Sequence, residues 1–514
     1  MRSRWSLGAV GLSALLWAGS AEAFCGFYVS GADAKLYNNA TQVVLLRDGT
    51  RTVLSMQNNY QGPPEAFAMV VPVPIVLQKE NVKTLVRDVF DRIDQLSAPR
   101  LVEYWEQDPC DHPRSRSWVQ TERRASAEAP SPAGGGPGGA PLVRIEAQFA
   151  VGEYEIVVLS AEDSSALDTW LRQSGYHIPD GAEPVLRPYV QRGEKFFVAK
   201  VDPEKVKFDA KGMATLSPLR FHYDTETFAL PVRLGLLNSK GTQDLIVHVL
   251  AKNQRYEAAN YPNLTIPTNI ELNESALGAF GSFYVALFDQ TVAKKPGAVV
   301  TEYAWSAGKC DPCPGPTLAP EDIAALGGDT LVSPRDTDQP PGSPPASGMS
   351  PAEATITRLH VRYTKESLGE DLVLRSASPI TGGNEWSRGP DKHGATSDAP
   401  GGQNMFQGRY IVRHPWKGDI TCTDPVYGRW GERPDKVGAA RDLAFVPREG
   451  LALSELVAEN VESIGLLGSP PTIERNVRVP LSAYLRTSGA AIGFGFAAGL
   501  GLVGFLLYRM RRAS

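Results

Sequence analysis

The sequence predicts an α+β fold of mostly antiparallel sheets with a few packed helices, in two or three modules, plus one C-terminal transmembrane helix. Short alternating apolar runs recur along the chain, helical spacing is confined to a few segments, and both ends carry uninterrupted apolar stretches. The 514 residues, 42% of them hydrophobic, suffice for more than one core, and 49 glycines with 40 prolines favour turns and linkers.

The N-terminus, residues 1–23, reads as a secretory signal peptide. Arg2 and Arg4 precede an apolar stretch that runs from Leu7 to Trp17. Ala21-Glu22-Ala23 then gives the small-x-small pattern that signal peptidase recognises, which predicts cleavage after Ala23. The chain is therefore expected to be exported.

The first α+β module, residues 24–124, is predicted to contain a hairpin, two further strands and a helix. The hairpin turns at Asp48-Gly49, a dipeptide that favours short β-turns. Apolar residues spaced by about 3.6 positions predict the helix. The predicted elements are strands at 42–46, 52–57, 67–73 and 101–105 and a helix at 81–96.

A Pro/Gly-rich linker at 125–141 leads into the second α+β module, residues 142–313. A helix opens at Ser164, where a polar residue precedes an apolar periodic run. The other predicted elements are helices at 183–191 and 274–292 and strands at 142–147, 154–159, 195–201, 219–223, 227–234, 245–250 and 299–305.

The two modules share one local pattern. Glu103-Tyr104 and Glu302-Tyr303 each lie on a predicted strand that follows a helix, and each strand is followed by Asp-Pro-Cys. The pattern has two explanations: an internal duplication, or two independent helix-to-strand connections that share a turn dipeptide.

A second linker, Pro/Gly/Ser-rich, covers 314–352 and includes a short predicted helix at 321–326. The C-terminal β-rich module follows at 353–469, with strands at 355–363 and 409–414. In the first of these strands, alternate residues from Thr355 to Tyr363 are predicted to share one face. Residues 470–488 are predicted to form a stalk.

The predicted transmembrane helix, residues 489–508, carries no charge and is long enough to cross a bilayer. Arg509, Arg511 and Arg512 follow in the tail 509–514 and are expected to stop transfer on the cytoplasmic side. The predicted location is therefore the cell membrane, with a periplasmic or cell-surface ectodomain. Gly495 and Gly499 lie four residues apart and allow weak self-association, or are small residues scattered through a simple anchor.

The charge argues against a nucleic-acid partner. The chain carries a formal net charge of −5; because the signal contributes +1 and the tail +3, the exported part carries −9. An acidic ectodomain without a basic cluster has no electrostatic attraction for nucleic acid or anionic lipid.

All five cysteines would lie in an oxidising compartment, where disulfides form. They are the disulfide candidates Cys25, Cys110, Cys310, Cys313 and Cys422. Two disulfides and one spare thiol is the simplest arrangement. Lipidation of Cys25 is not expected, because Phe24 directly precedes it where a small residue is required.

Cys310-Asp311-Pro312-Cys313 has three interpretations. A redox pair requires the first cysteine at a helix N-terminus, and the Pro314-Gly315-Pro316 that follows disfavours a helix there. A structural disulfide fits better. Zinc binding together with Cys110 or Cys422 is the third, although no second Cys-x-x-Cys is present.

No sequence motif marks a catalytic, metal or cofactor site. The seven histidines include no His-Glu-x-x-His, and the chain has neither a Gly-x-Ser-x-Gly elbow nor a phosphate-binding loop. His222 and His248 fall in predicted strands and could meet across a sheet, or could be ordinary strand histidines. We therefore predict no catalytic, cofactor-binding or metal-binding residues and no cofactor.

Several segments resemble a bacterial envelope family known only as a domain of unknown function, the one numbered 2330. The similar segments are 24–29, 67–74, the turn at 310–313 and 357–363. The resemblance runs from Phe24 to about Arg375 and extends towards Cys422; it implies a secreted or membrane-anchored protein without an assigned activity, so no catalytic residues carry over. The C-terminal span is also similar to sorting tails of myxobacterial surface proteins, but lacks their usual cysteine, which favours a plain anchor.

The sequence thus predicts an exported, single-pass, membrane-anchored envelope protein with a non-enzymatic binding or structural ectodomain. The expected partners are the membrane, through one helix, and an envelope protein or a cell-wall component. The alternative is an exported enzyme: a hydrolase whose residues are dispersed in sequence, as glycosidase carboxylates often are, or a thiol oxidoreductase that uses Cys310 and Cys313.

Overall fold

A computed structural model describes residues 27–29, 37–38, 41–57, 60–61, 68–111, 143–174, 176, 178, 181–208, 214–237, 242–332, 347–384, 399–432, 438–439, 452–461 and 464–479. The helices are α1 (Asp88–Ser97), α2 (Ser164–Gln173), α3 (Ala182–Gln191), α4 (Phe280–Ala293), α5 (Pro320–Ala325) and α6 (Leu453–Leu456). The strands are β1 (Phe27–Val29), β2 (Tyr37–Asn38), β3 (Thr41–Asp48), β4 (Arg51–Gln57), β5 (Tyr60–Gln61), β6 (Ala68–Val73), β7 (Val82–Thr84), β8 (Arg100–Glu106), β9 (Val143–Val151), β10 (Tyr154–Ala161), β11 (Lys195–Val201), β12 (Lys207–Phe208), β13 (Ala214–Thr215), β14 (Leu219–Asp224), β15 (Ala229–Leu230), β16 (Gln243–Lys252), β17 (Arg255–Ala258), β18 (Asn263–Thr265), β19 (Ile270–Leu272), β20 (Val299–Ser306), β21 (Ala354–Tyr363), β22 (Leu372–Ala377), β23 (Ile380–Gly382), β24 (Ala399–Pro400), β25 (Met405–Gln407), β26 (Arg409–His414), β27 (Trp430–Glu432) and β28 (Gly438–Ala439).

The largest sheet has eleven strands, in the order β24-β23-β25-β20-β21-β16-β3-β4-β14-β7, with β18 also paired to β20. Most neighbours are antiparallel, and β3 with β16, β18 with β20 and β23 with β25 are parallel. Strands from all three sequence ranges predicted as modules enter this one sheet. Those ranges are therefore interleaved in space.

The apolar run at 43–46 lies at the centre of the fold because both faces of β3 are covered. Val43 and Leu45 point to a core shared with a five-stranded sheet of order β1-β6-β11-β10-β9. Val44 and Leu46 point the other way and pack with α1 and α5. The alternation follows from the two-residue period of a strand, and both layers exclude water from β3.

Two further cores complete the layers. Helices α2 and α3 cover the outer face of the five-stranded sheet, where Leu167 and Leu186 pack against Phe196 and Val198. At the other end, α4 and α6 pack together over β20 and β26. The two facing sheets thus form the inner layers, and the helices cover their outer faces. A smaller sheet lies at the α4 end, with the strand order β19-β26-β8-β27 and with β28 paired to β8.

The predicted fold class, α+β with mostly sheets and few helices, is confirmed. Local elements agree well: the β3–β4 hairpin turns at Gly49, which takes φ +54°, and Leu359, Val361 and Tyr363 share the predicted face of β21. These features depend on neighbours in sequence, so the sequence alone carries them.

Three predicted elements differ clearly in extent. The helix expected at 274–292 is α-helical only from Phe280, after a 3₁₀ turn at Glu274–Gly278. The helix expected at 81–96 begins only at Asp88, because Val82–Thr84 pairs with β14 as strand β7. The strand expected at 227–234 is only Ala229–Leu230, because Pro231 lacks the N–H that a ladder needs, and a 3₁₀ turn follows at Arg233–Leu237.

The predicted linker at 314–352 is in part a packed segment. Leu318, Ile323 and Leu326 are buried in the core beside α1, and Met349 joins them. Its proline and glycine content predicts a linker, whereas the spaced apolar residues within it anchor the segment to the core. Among the described residues no helix is both long and apolar enough to span a membrane; the predicted span at 489–508 lies outside them.

Candidate functional site

Strands β8 and β26 run parallel, with Arg100 opposite Arg409 and Trp105 opposite His414. Because parallel strands end at the same edge of a sheet, the segments that follow them meet there. They enclose a cleft of about 550 Å³, termed here the Trp105–His414 cleft. It is lined by Trp105, Glu106, Gln107, Asp108, Asp111, His414, Pro415, Trp416 and Lys417.

His414 is fixed in orientation by three neighbours. Its ring stacks on Trp105 with centroids 4.6 Å apart and planes 14° from parallel. Its Nε2 lies 2.8 Å from a carboxylate oxygen of Glu103, and its Nδ1 lies 3.1 Å from one of Glu274. Both nitrogens can donate to these carboxylates only in the protonated ring. The stack and the two carboxylates thus form a rigid wall of the cleft.

Glu106 anchors the opposite wall. Its side chain is fully buried, pairs with Arg475 at 2.9 Å, and accepts the backbone N–H groups of Trp416 at 3.0 Å and Gly428 at 2.8 Å. Burial alone would raise the pKa of this carboxyl, but Arg475 and the two N–H groups lower it below its usual value. Glu106 therefore remains an ionised acceptor that holds together segments distant in sequence.

The rim of the cleft offers polar groups of several kinds. Gln107, Asp111 and Lys417 are exposed at the rim. The indole N–H of Trp416 is instead buried behind the lining and has no hydrogen-bond partner in the described part of the chain. Carboxylates accept hydrogen bonds from hydroxyl groups, and aromatic faces pack against apolar C–H surfaces. This combination suits a polar ligand that carries several hydroxyl groups.

A disulfide closes one end of the cleft. Cys110 and Cys422, which follow the two parallel strands, are joined with their Cα atoms 5.5 Å apart across a sequence separation of 312. Val426 N–H donates to the carbonyl of Pro109 at 2.9 Å alongside it. The loops after β8 and β26 are thus covalently fixed to each other.

The second disulfide, between Cys310 and Cys313, lies in a separate turn. Arg100 donates to the carbonyl of Pro312 at 2.8 Å and Gln95 to that of Pro314 at 2.9 Å. No helix begins at this turn; the next one is α5, at Pro320. The turn therefore lacks the helix N-terminus that lowers a thiol pKa in redox motifs.

The remaining predicted site residues are placed as follows. Four of the five disulfide candidates, Cys110, Cys422, Cys310 and Cys313, form the two disulfides above. Within the described ranges, no group of three or more His, Cys, Asp and Glu side chains is positioned to hold a metal. Outside the described residues lie Ala23, Cys25, Gly495, Gly499, Arg509, Arg511 and Arg512.

His222 and His248 do not pair across the sheet. They lie on β14 and β16, which β3 and β4 separate. His222 Nε2 is 3.2 Å from the amide nitrogen of Asn81, and His248 Nε2 is 3.2 Å from Arg358. Both are strand histidines with local partners.

A buried ionic network on the large sheet was not predicted. His360 on β21 contacts Glu302 at 2.7 Å and Asp244 at 3.0 Å, and Arg358 pairs with Glu302 at 2.7 Å and with Asp94. The pattern Arg358-Leu359-His360-Val361-Arg362 was the available signal, because its charged residues alternate with core residues and must therefore face the other side of a buried strand.

The network keeps its members charged. Burial would raise the pKa of Glu302 and of Asp244, but His360 and the neighbouring arginines lower both to about 2. Burial opposes the charged form of His360, yet Glu302 and Asp244 outweigh it and raise its pKa. The residues satisfy one another, so the network contributes to the core and leaves no group directed at a ligand.

Comparison with known proteins places the chain in a family. No curated protein and no solved structure matches it. Residues 19–375 match the family described as an uncharacterized protein conserved in bacteria, DUF2330. That range includes the large sheet up to β21 and one side of the cleft, the β8 side, while the β26 side lies beyond it. The chain therefore belongs to the DUF2330 family of bacterial proteins.

Proposed function

We propose that the chain is an exported envelope protein, held by one C-terminal transmembrane helix, whose ectodomain binds a hydroxyl-rich saccharide of the cell wall in the Trp105–His414 cleft. The observation that supports this is the meeting of the Trp105–His414 stack, the exposed carboxylate of Asp111 and the polar side chains of Gln107 and Lys417 in one cleft. Binding sites of this kind combine apolar surfaces with a few polar groups.

Binding is favoured over hydrolysis by the state of the acidic groups. Glu106 uses its oxygens on Arg475 and two backbone N–H groups, and its lowered pKa makes it a poor proton donor. Glu106 is therefore better suited to accept hydrogen bonds than to donate a proton.

Export and anchoring are proposed from the sequence at both ends, and two disulfides suit an oxidising compartment. The start of the stalk is docked beside the cleft: Arg478 N–H donates to the carbonyl of Ile420 at 2.9 Å. From Arg478 to the proposed span at Gly489 the chain reaches at most about 40 Å. The cleft would then lie near the membrane, and the Gly495/Gly499 face would allow weak self-association of anchors.

The test is a titration of the full-length protein, in nanodiscs, with the tetrasaccharide of β-1,4-linked N-acetylglucosamine, followed by calorimetry. Trp105→Ala is expected to weaken binding by about tenfold or more, because it removes the stacking face. Asp111→Asn, at an exposed position, should weaken binding less and leave stability unchanged.

Two matched controls accompany these variants. Trp170→Ala on α2 and Asp48→Asn at the β3–β4 turn change the same residue types outside the cleft and should bind like the native chain. Native protein that does not bind the tetrasaccharide, or equal weakening by the control variants, would refute the proposal.

A thiol oxidoreductase is the second candidate, because Cys313 is exposed beside its bonded partner Cys310. The double variant Cys310→Ser/Cys313→Ser separates the two functions. Loss of insulin-reducing activity with folding intact would establish the redox function. A lowered melting temperature without an activity to lose would assign the pair a structural role.

A further inference from the structure

A second groove lies away from the cleft, between the end of β6, helix α3 and the start of β22. It has a volume of about 600 Å³, within the range of small-ligand sites. Pro72, Pro74, Pro188 and Pro231 line it, and it is termed here the proline groove. Since proline has no N–H, these residues offer apolar surface but no backbone donor to a ligand.

Asp371 fixes the frame of the proline groove. One of its carboxylate oxygens accepts the hydroxyl of Tyr189 at 2.6 Å and the backbone N–H of Val232 at 3.1 Å and of Arg233 at 3.3 Å. The other accepts from Arg192 at 3.2 Å. Helix α3, the segment after β15 and the start of β22 are thereby joined. Asp371 is saturated and is a positioning residue for the walls.

Two charged residues that line the proline groove, Arg233 and Glu370, do not hold its walls together. Within the described residues, the guanidinium of half-buried Arg233 and the carboxylate of exposed Glu370 have no hydrogen-bond or ion-pair partner. Arg192 and Glu194, in contrast, pair with each other at 2.7 Å. The proline groove therefore presents one unpaired cation and one unpaired anion beside an apolar wall.

We propose that the proline groove binds a short peptide with apolar side chains and free termini, its α-carboxylate on Arg233 and its α-ammonium on Glu370. A guanidinium and a carboxylate on one groove match the opposite charges of such a zwitterion. Without N–H groups on the proline wall, a β-ladder to the peptide is not available there, so recognition depends on the two ends and on apolar contact.

The probe is the tripeptide Leu-Ala-Leu with free termini, compared with its N-acetyl and its C-amide forms, titrated into the full-length protein in nanodiscs by calorimetry. The free peptide should bind about tenfold more tightly than either capped form, because each cap removes one charge-assisted contact. Arg233→Gln should abolish the preference over the amide, and Glu370→Gln the preference over the acetyl form.

Arg375→Gln and Glu80→Gln, exposed residues of the same types outside the groove lining, are the matched controls and should retain both preferences. Equal affinity for capped and free peptides, no binding of the free peptide at 5 mM by the native protein, or the same loss in the controls would each overturn the proposal. Because the cleft ligand is a neutral saccharide, either site can fail without the other.

Discussion

Two histidines of this chain share one arrangement in different surroundings. Each imidazole lies between two carboxylates and stacks on an aromatic ring. The strand that carries each histidine pairs with a strand that follows a helix and is itself followed by Asp-Pro-Cys. The core group consists of His360, Glu302, Asp244 and Phe288, and the cleft group consists of His414, Glu103, Glu274 and Trp105.

The difference is what surrounds each group. The side chain of His360 is 2% exposed and that of Glu302 is 1% exposed, whereas His414 is 13% and Glu274 is 51% exposed. Strand β20 of the core group pairs antiparallel with β21, and β8 of the cleft group pairs parallel with β26. The parallel pair opens its edge into a cleft, so similar side chains form a closed network in one place and the wall of a cleft in the other.

The opposite pairing directions also bear on the repeated Glu-Tyr and Asp-Pro-Cys pattern. A duplicated unit would be expected to keep its pairing, whereas β8 and β20 lie in different sheets, and the histidine-bearing strand runs parallel to β8 but antiparallel to β20. This favours two independent helix-to-strand connections.

The sharpest test of the comparison removes the same charge from both groups. Glu302→Gln should lower the free energy of unfolding by about 3–5 kcal/mol, because it leaves Arg358 and His360 buried without their shared partner. Glu103→Gln should cost about 1 kcal/mol or less, because that carboxylate is partly solvated. Urea unfolding of the two variants at pH 6 measures both values. Equal losses would show that the cleft group is also structural.

The two disulfides give the next largest contrast. Cys110→Ser/Cys422→Ser should cost about 3–5 kcal/mol, since the bond constrains an unfolded loop with a sequence separation of 312. The Cys310–Cys313 bond spans a sequence separation of only 3, so Cys310→Ser/Cys313→Ser should lower the free energy of unfolding by about 2 kcal/mol or less. Thermal unfolding under non-reducing conditions measures both. The first variant should also lose saccharide binding; retention would mean that the cleft walls do not depend on the bond.

The core group should shape the dependence of stability on pH. Glu302 and Asp244 have pKa values of about 2 in the folded chain, below their unfolded values, so their stabilisation is present above about pH 5 and is lost as the pH falls towards 2. The raised pKa of His360 acts oppositely: its contribution is present below about pH 6.5 and is lost as the pH rises through the folded value.

The melting temperature should therefore be highest between about pH 5 and 6.5. Glu302→Gln should flatten both limbs of the curve, because it removes one lowered carboxyl pKa and a partner that raises the pKa of His360. Calorimetry from pH 2 to 9 follows the effect, and an unaltered curve for Glu302→Gln would contradict the role given to the network.

The sequence predicts those features of the fold that are determined by residues a few positions apart. The β3–β4 hairpin, helix α2 and the alternating face of β21 follow from turn residues, caps and periodicity within a few positions. The partners of β8 could not be found this way: β26 pairs with it across more than 300 residues, and nothing local encodes a parallel partner.

The sequence predicts the candidate site only in part. The sequence marks Glu103, Cys110 and Cys422, but their meeting with Trp105 and His414 depends on the parallel register. The core network does not follow from the alternation, because the pattern places Arg358, His360 and Arg362 on one face of β21 without showing what covers that face. Helices α1 and α4 cover that face, and burial turns its charges into a network.

The smallest expected effect concerns the cleft histidine itself. His414→Asn keeps a polar group against Glu103 but removes the ring that stacks on Trp105, so stability should change by about 1 kcal/mol or less, given the partial exposure of the pairs. Saccharide affinity should fall by about fivefold, because Trp105 is no longer held in the plane that the ligand contacts. His360→Asn is the matched change in the core group: it should destabilise the chain by several times more while leaving the affinity of the folded protein unchanged. The opposite result would be a large loss of stability from His414→Asn and a loss of saccharide affinity from His360→Asn. It would mean that the cleft group is structural and that the buried network takes part in ligand binding.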